Sequence, residues 1–504
     1  MTSKTRVVVI GAGLAGVTLA RRLGELGTPA LTLGDEEHRP YNRVLLAEVL
    51  AERYGAEVIA LPSPAGLLRG RATGIDRAGR TVRCADGSVI AYDTLVLATG
   101  SNAVLPPLRG LFTPDRVLPE GVHAFRTMDD CLGLSKAVRP GARAVVIGGG
   151  LLGVSAARAL AVRGAQVVLA QQSERLMERQ LDPAASALVR RHLEGLGVEV
   201  HTECRVRDVR SVGGAVRSVE MGDGYALGAD LVVLACGVRP RVGLAREAGL
   251  EVGKGVLVDD ELRTSDPHVR AVGDCAQHAG RVYGLAAPAL EQAQVLAELL
   301  AGDGTARYHG TRSLTRLTLT GAVGPGSEGS RAGGSRAGGF RAGGPGTDGP
   351  APMSPGTVAP GTEGSRSEGP GSGPVGLGSV GPGSVNPSTV GPNPANPSPA
   401  GPSTVGPSSG APSPGGPFGG PDTPFELAAF GETDPRPGDD VVQLADATRG
   451  TYRKVVVRDD RLVGGVLVGE LGTVGALARA WEGAEPLPSD GGPLLHLLTQ
   501  DGGS

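Results

Sequence analysis

The stretch VVVIGAGLAG (7–16) has a counterpart at 144–153, AVVIGGGLLG. Each is a short β-branched apolar run, then a glycine-rich turn, then the start of a helical pattern. Gly11, Gly13 and Gly16 carry the first turn; Gly148, Gly150 and Gly153 carry the second. In such a turn the first glycine permits the tight bend, the second lets backbone approach a pyrophosphate, and the third lets helix and strand pack closely. The pyrophosphate would rest on the helix N-terminus, where free N–H groups and the helix dipole favour negative charge. In a chain with 83 glycines a bare G-x-G-x-x-G carries little weight, and the strand and helix that frame each turn supply it. Two such units imply two dinucleotides held face to face, a layout for passing a hydride from one to the other.

The 504 residues suffice for about three domains. A net charge of −3 argues against nucleic acid as a partner. The five cysteines, at 84, 131, 204, 236 and 275, form no C-x-x-C pair and no metal-ligand spacing. That fits a reducing cytoplasm and excludes a redox-active disulfide or a cysteine-ligated iron–sulfur cluster in this chain. Of 49 basic residues all but four are arginine, a bias that fits a GC-rich coding sequence. Lys4 and Arg6 followed by apolar 7–20 imitate a signal peptide, but Arg21 and Arg22 follow directly and no small-x-small cleavage site is present. No apolar run approaches the length of a membrane span.

Residues 1–110 alternate strand and helix, and the second strand, 30–33, ends at Gly34-Asp35-Glu36, where an acidic residue commonly takes a ribose hydroxyl. YDTLVLATGS (92–101) reads as a buried strand with a small-residue turn. Residues 114–237 repeat the pattern, and VRAVGDCA (269–276) is a strand ending in a carboxylate, followed by a helix over 286–300. From 324 to 422 the composition collapses to Gly, Pro, Ser, Ala, Thr and Val, which cannot bury a core and should be disordered. TYRKVVVRDDRLVGGVLVGE (451–470) then predicts a hairpin turning at Asp459-Asp460, followed by a helix over 472–481.

These segments, with PYNRVLLAEVL (40–50), HAFRTMDD (123–130), RLMERQLD (175–182), RTSDPHVRAVGDCA (263–276) and RLVGGVLVGE (461–470), resemble the pyridine nucleotide-disulfide oxidoreductase-like FAD/NAD(P)H enzymes. Within them the chain is most similar to the flavin-reductase portion of bacterial NAD(P)H nitrite reductase large subunits and to assimilatory nitrate reductase electron-transfer subunits. The resemblance implies an α/β fold. Two Rossmann-like three-layer domains would bind FAD (1–113 and 241–307) and NAD(P)H (114–240). A small α+β C-terminal domain (308–323 and 423–488) would be interrupted by the insertion 324–422 and followed by a tail, 489–504.

The resemblance also implies roles. Gly11, Gly13 and Gly16 would hold the FAD pyrophosphate, and Asp35 or Glu36 its adenosine ribose. Arg43 would contact the FAD phosphate or the region beside the flavin, Thr99 and Gly100 would lie against FAD, and Asp274 would accept a bond from a ribityl hydroxyl. Gly148, Gly150 and Gly153 would hold the NAD(P)H pyrophosphate. Two positions depart from the family. Ser155 stands where a glutamate near the nicotinamide is common, and Gln171, with Arg175 nearby, stands where an acid or histidine usually meets the ribose. A neutral glutamine does not repel a 2′-phosphate, so NADH and NADPH both remain open. The expected activity is electron transfer from NAD(P)H through FAD to a separate redox protein. That partner would be a siroheme nitrite reductase, a nitrate reductase, or a ferredoxin- or rubredoxin-type protein. The alternatives are a ferredoxin or rubredoxin reductase of another pathway, and a flavin-binding interaction module that has lost turnover.

Overall fold

The computed structural model describes residues 6–302, 304–312, 314–319, 424–446, 448–483 and 498. The expected disorder of 324–422, and the tail 489–504 apart from Leu498, lie outside the described residues.

β1 (Val7–Ile10) is buried at all its positions, as a strand covered on both faces of a parallel sheet must be. It runs into α1 (Leu14–Glu25) and is flanked by β2 (Ala30–Gly34) and β4 (Thr94–Leu97), all parallel. With β3 (Leu67–Arg69) outside β2 and β10 (Val269–Ala271) outside β4, the order is β10-β4-β1-β2-β3. The second sheet repeats the plan with β5 (Val122–Ala124), β6 (Arg143–Ile147), β7 (Gln166–Ala170), β8 (Glu199–His201) and β9 (Leu231–Leu234), in the order β5-β9-β6-β7-β8. Its central strand β6 feeds α4 (Leu151–Val162), as β1 feeds α1, and the short α2 (Leu46–Leu50) packs against α4.

The two turns are built alike. Gly11 has φ +118° and Gly148 φ +108°, so a side chain would be strained at either. A Cβ on Gly16 would run into the carbonyl of Gly11, and one on Gly153 into the carbonyl of Gly148. Each third glycine is thus the point where helix rests on turn.

The C-terminal domain is a five-stranded antiparallel sheet in the order β11-β12-β15-β14-β13, from β11 (Leu314–Leu319), β12 (Phe425–Gly431), β13 (Asp440–Asp446), β14 (Thr451–Arg458) and β15 (Arg461–Val468). α7 (Val474–Glu482) covers it and sets Trp481 against Phe430, ring centroids 5.2 Å apart. One core runs from the second sheet through α4 into this domain, joining Val154 and Leu188 to Leu427, Tyr452 and Val466.

The join is pinned by the last residue of RLMERQLD. Asp182 caps α5 (Pro183–Gly195) by accepting from the Ala185 N–H at 2.9 Å. Its other oxygen accepts from the Tyr452 hydroxyl at 2.5 Å and pairs with Lys454 at 2.9 Å, both from β14. Asp182 and Lys454 are both buried. One turn before the end of α5, His192 stacks on Phe425 of β12 at 4.6 Å.

Candidate functional site

A cavity of about 450 Å³ opens above the first glycine turn. Gly11 and Gly13 line it, together with Asp35 and Glu36 after β2, Thr99 and Gly100 after β4, and Asp274 after β10. Leu285 and Ala286, at the start of α6 (Ala286–Ala301), add to the lining. Leu151, Leu152 and Ser155 of α4 and Arg316 and Leu317 of β11 also line it. Of the residues expected at FAD, Gly16 alone does not line the cavity, and it lies buried beneath the turn. Of those expected at NAD(P)H, Ser155 lines it. Gly148, Gly150, Gly153, Gln171 and Arg175 lie beyond, around the second turn.

The polar groups of the cavity hold one another in place. The Tyr41 hydroxyl donates to Glu36 at 2.6 Å and accepts from Arg43 at 2.6 Å and from the Met128 N–H at 2.9 Å. Burial pushes the Tyr41 phenol far above its ordinary value, so it stays protonated and can donate. Arg43 also pairs directly with Glu36. Glu36 is therefore engaged by two neighbours, whereas Asp35 is half exposed and stands 3.8 Å from Arg241. Thr99 donates to the Arg241 carbonyl at 2.8 Å, tying the turn after β4 to the crossover from the second domain.

Asp274 accepts through one oxygen from Ser101 at 2.8 Å and from Arg126 at 2.6 Å. Its turn is oriented by the nearly fully buried Gln292 of α6, whose Oε1 accepts from the Gly273 N–H at 2.8 Å. The FRTMDD segment now has a mechanical reading. Thr127 and Asp130 form a reciprocal capping box at the start of α3 (Met128–Ala137), and Asp130 also accepts from the Arg126 N–H at 3.0 Å. The cap sets the backbone of Arg126, whose guanidinium then reaches Asp274. Burial pulls that guanidinium below its ordinary value, against the opposing pull of Asp274. Arg126, Ser101 and Tyr41 are site residues that sequence reasoning left without a role. The signal for Arg126 was there, in a T-x-x-D cap directly after an arginine. Arg126→Met, which leaves a mostly buried carboxylate with one hydroxyl partner, should lower stability by about 1–3 kcal/mol. The urea midpoint of flavin-free protein measures it.

The second turn is held differently. Gln171 Oε1 accepts from the Gly149 N–H at 2.7 Å, and the Ser155 hydroxyl bonds back to the Leu151 carbonyl at 2.8 Å. Arg175 faces Asp434 of the C-terminal domain at 3.7 Å.

The donor set suits an anionic dinucleotide. A Cβ on Gly13 would meet nothing within 4 Å, so the cavity is open there for close backbone approach. α1 and α6 both begin on the cavity wall with no side-chain cap and no acid in the first turn, so their free N–H groups are available to an anion.

Comparison with known proteins agrees with this geometry. A family model described as rubredoxin NAD+ reductase C-terminal domain matches residues 423–482. The assimilatory nitrate reductase electron transfer subunit of Bacillus subtilis is 35% identical over 331 residues, covering 63% of this chain and 42% of that protein. Rubredoxin-NAD(+) reductase of Pseudomonas putida is 33% identical over 317 residues, covering 59% and 80%. This chain spans about two fifths of the length of the nitrate and nitrite reductase relatives it matches first. Among solved structures, a ferredoxin reductase from Rhodopseudomonas palustris shares the fold, with a TM-score of 0.64 at 23% identity, covering 92% of this chain and 91% of that one. The doubled glycine turn sits within the match to the model described as pyridine nucleotide-disulphide oxidoreductase, over residues 5–293, and the chain belongs to that family.

Proposed function

We propose that this chain is an NAD(P)H-dependent FAD oxidoreductase that delivers electrons to a separate redox protein in nitrite or nitrate assimilation. One observation carries the reading: the cavity at the first glycine turn is lined in part by Leu151, Leu152 and Ser155 of the helix that follows the second. A nucleotide on each turn would bring its reactive end to the same space. FAD, when bound, supplies a hydride acceptor and the release of electrons one at a time.

The protein's share is position and field. The first turn and the start of α1 would hold the pyrophosphate. Asp35 and Glu36 stand at the ribose end, with Glu36 fixed by Tyr41 and Arg43. Asp274 keeps one oxygen for a ribityl hydroxyl while Arg126 and Ser101 hold the other. The start of α6 favours the negative charge that builds on reduction. Leu151 and Leu152 give the α4 part of the lining an apolar face, and Ser155, bonded to its own helix, leaves no carboxylate on it. Gly148, Gly150 and Gly153 would hold the nicotinamide nucleotide's pyrophosphate. The acceptor and a cytoplasmic location are part of the same proposal. Among the described residues no helix is long and apolar enough to cross a membrane.

The test is stopped-flow mixing of the purified flavoprotein with NADH and with NADPH under anaerobic conditions. Rapid bleaching of the flavin is expected, with no reduction of nitrite by this chain alone. A second reading, a rubredoxin or ferredoxin reductase of another pathway, draws on the match of 423–482 and would show as faster electron delivery to those small proteins. No bleaching by either nucleotide would leave a flavin-binding interaction module.

A further inference from the structure

β7 ends at Ala170, and the next residue stands where dinucleotide folds commonly place a carboxylate that bonds the ribose hydroxyls of NADH, or leave room for a cation that takes the 2′-phosphate of NADPH. Here it is Gln171, and its amide is turned away from that task. Oε1 accepts from the Gly149 N–H at 2.7 Å, and Nε2 lies 3.5 Å from the Arg175 carbonyl. The Met177 N–H closes the loop by bonding to the Gly149 carbonyl at 2.9 Å. Packing agrees: a Cβ on Gly149 would lie 2.5 Å from Leu176 and 3.0 Å from Gln171. Ser173 and Arg175 of the loop also face protein partners, though the buried Arg175 Nε has no hydrogen-bond partner among the described residues. Ser173 donates to Glu178 at 2.7 Å, and Arg175 faces Asp434 at 3.7 Å. The exposed charges nearby, Glu174, Arg179 and Glu203, are of mixed sign.

We propose that Gln171 is a positioning residue for the second glycine turn and not a reader of the ribose, so that the site takes NADH and NADPH with nearly equal efficiency. The inference rests on assigning the second turn to NAD(P)H. A neutral amide offers no carboxylate to a ribose diol and no repulsion to a phosphate. Discrimination would then depend on one charge at one position, and Gln171→Glu restores it. The glutamate can still accept from Gly149 while placing a negative charge at the ribose end.

The full FAD-loaded chain is titrated with 5′-AMP and with adenosine 2′,5′-bisphosphate, and flavin bleaching by NADH and NADPH is measured alongside. For the unmodified chain the two bleaching efficiencies should agree within about tenfold. Gln171→Glu should weaken the bisphosphate by about tenfold or more relative to 5′-AMP, because like charges then meet. Gln171→Met, which removes the bond to Gly149 without adding charge, should weaken both probes together and leave their ratio unchanged. A preference of about a hundredfold for either nucleotide in the unmodified chain, or an unchanged probe ratio in Gln171→Glu, overturns the proposal. If neither nucleotide bleaches the flavin and neither probe binds, the assignment of the second turn itself fails, and this inference falls with it.

Discussion

Gly13→Val is expected to give a folded, colourless protein. Gly13 caps α1 and lines the cavity, and a Cβ there would meet nothing within 4 Å. The isopropyl group would occupy the space through which a pyrophosphate must approach the backbone. Loss of that approach should weaken FAD binding by about a thousandfold or more, equivalent to about 4 kcal/mol. Flavin absorbance of the purified variant and back-titration with FAD measure it, with far-ultraviolet circular dichroism reporting the intact fold. Gly11→Val serves as contrast. At Gly11 the side chain would run into the Ala98 carbonyl on a backbone at φ +118°, so folding itself should suffer. A Gly13→Val protein that retains flavin at the ordinary ratio would refute the placement of FAD on the first turn.

The second large effect concerns the joint between domains. Asp182→Ala removes a helix cap, the acceptor of the Tyr452 hydroxyl and the counter-charge of buried Lys454. Leaving one member of such a pair buried and uncompensated costs about 3–5 kcal/mol. The single tryptophan, Trp481, packs inside the C-terminal domain and reports its unfolding by fluorescence in urea. Replacing both partners, as Asp182→Leu with Lys454→Met, should recover much of the loss, because no charge is then stranded.

The same joint should loosen in acid. Burial alone would raise the Asp182 carboxyl, but bonds from Tyr452, the Ala185 N–H and Lys454 outweigh it and hold the group below its ordinary value. Its contribution is present above the unfolded carboxylate pKa of about 4 and is lost as pH falls through the lower folded value. Burial, helped by the charge of Arg158, holds His192 down at about 4, so the neutral ring is the one that stacks on Phe425. That contribution is complete above the unfolded imidazole pKa of about 6.5 and declines on the way down to the folded value. Tryptophan-monitored stability should therefore begin to fall near pH 6, before the carboxylates titrate.

The parts of this molecule legible in the sequence are those whose signals are local. Apolar runs before a glycine turn announce buried parallel strands at 7–10 and at 144–147. The alternation of 451–468 announces a hairpin, and Asp459 and Asp460 do adopt the left-handed turn that such hairpins favour. The roles that stayed hidden depend on partners far away in the chain. Arg126 acquires its meaning from Asp274, 148 positions on, and Asp182 from Tyr452, 270 positions on. Gln171 looked like a missing acid. No spacing rule shows that its amide serves a backbone N–H, because that depends on how the 171–177 loop folds over the turn.

The strands β11 and β12 are neighbours in one antiparallel ladder, with Leu319 opposite Phe425. Whatever joins them, the two ends meet at the same rung. The entropy of closing a flexible link grows by only about 0.6 kcal/mol for each doubling of its length, a small charge against a ladder that also packs on β15. The position is therefore a socket in the gene as much as in the fold. Coding sequence can be spliced in, exchanged or removed between these strands while every rung of the sheet keeps its partner. A reporter domain grafted there would leave the pairing of Leu319 with Phe425 in place.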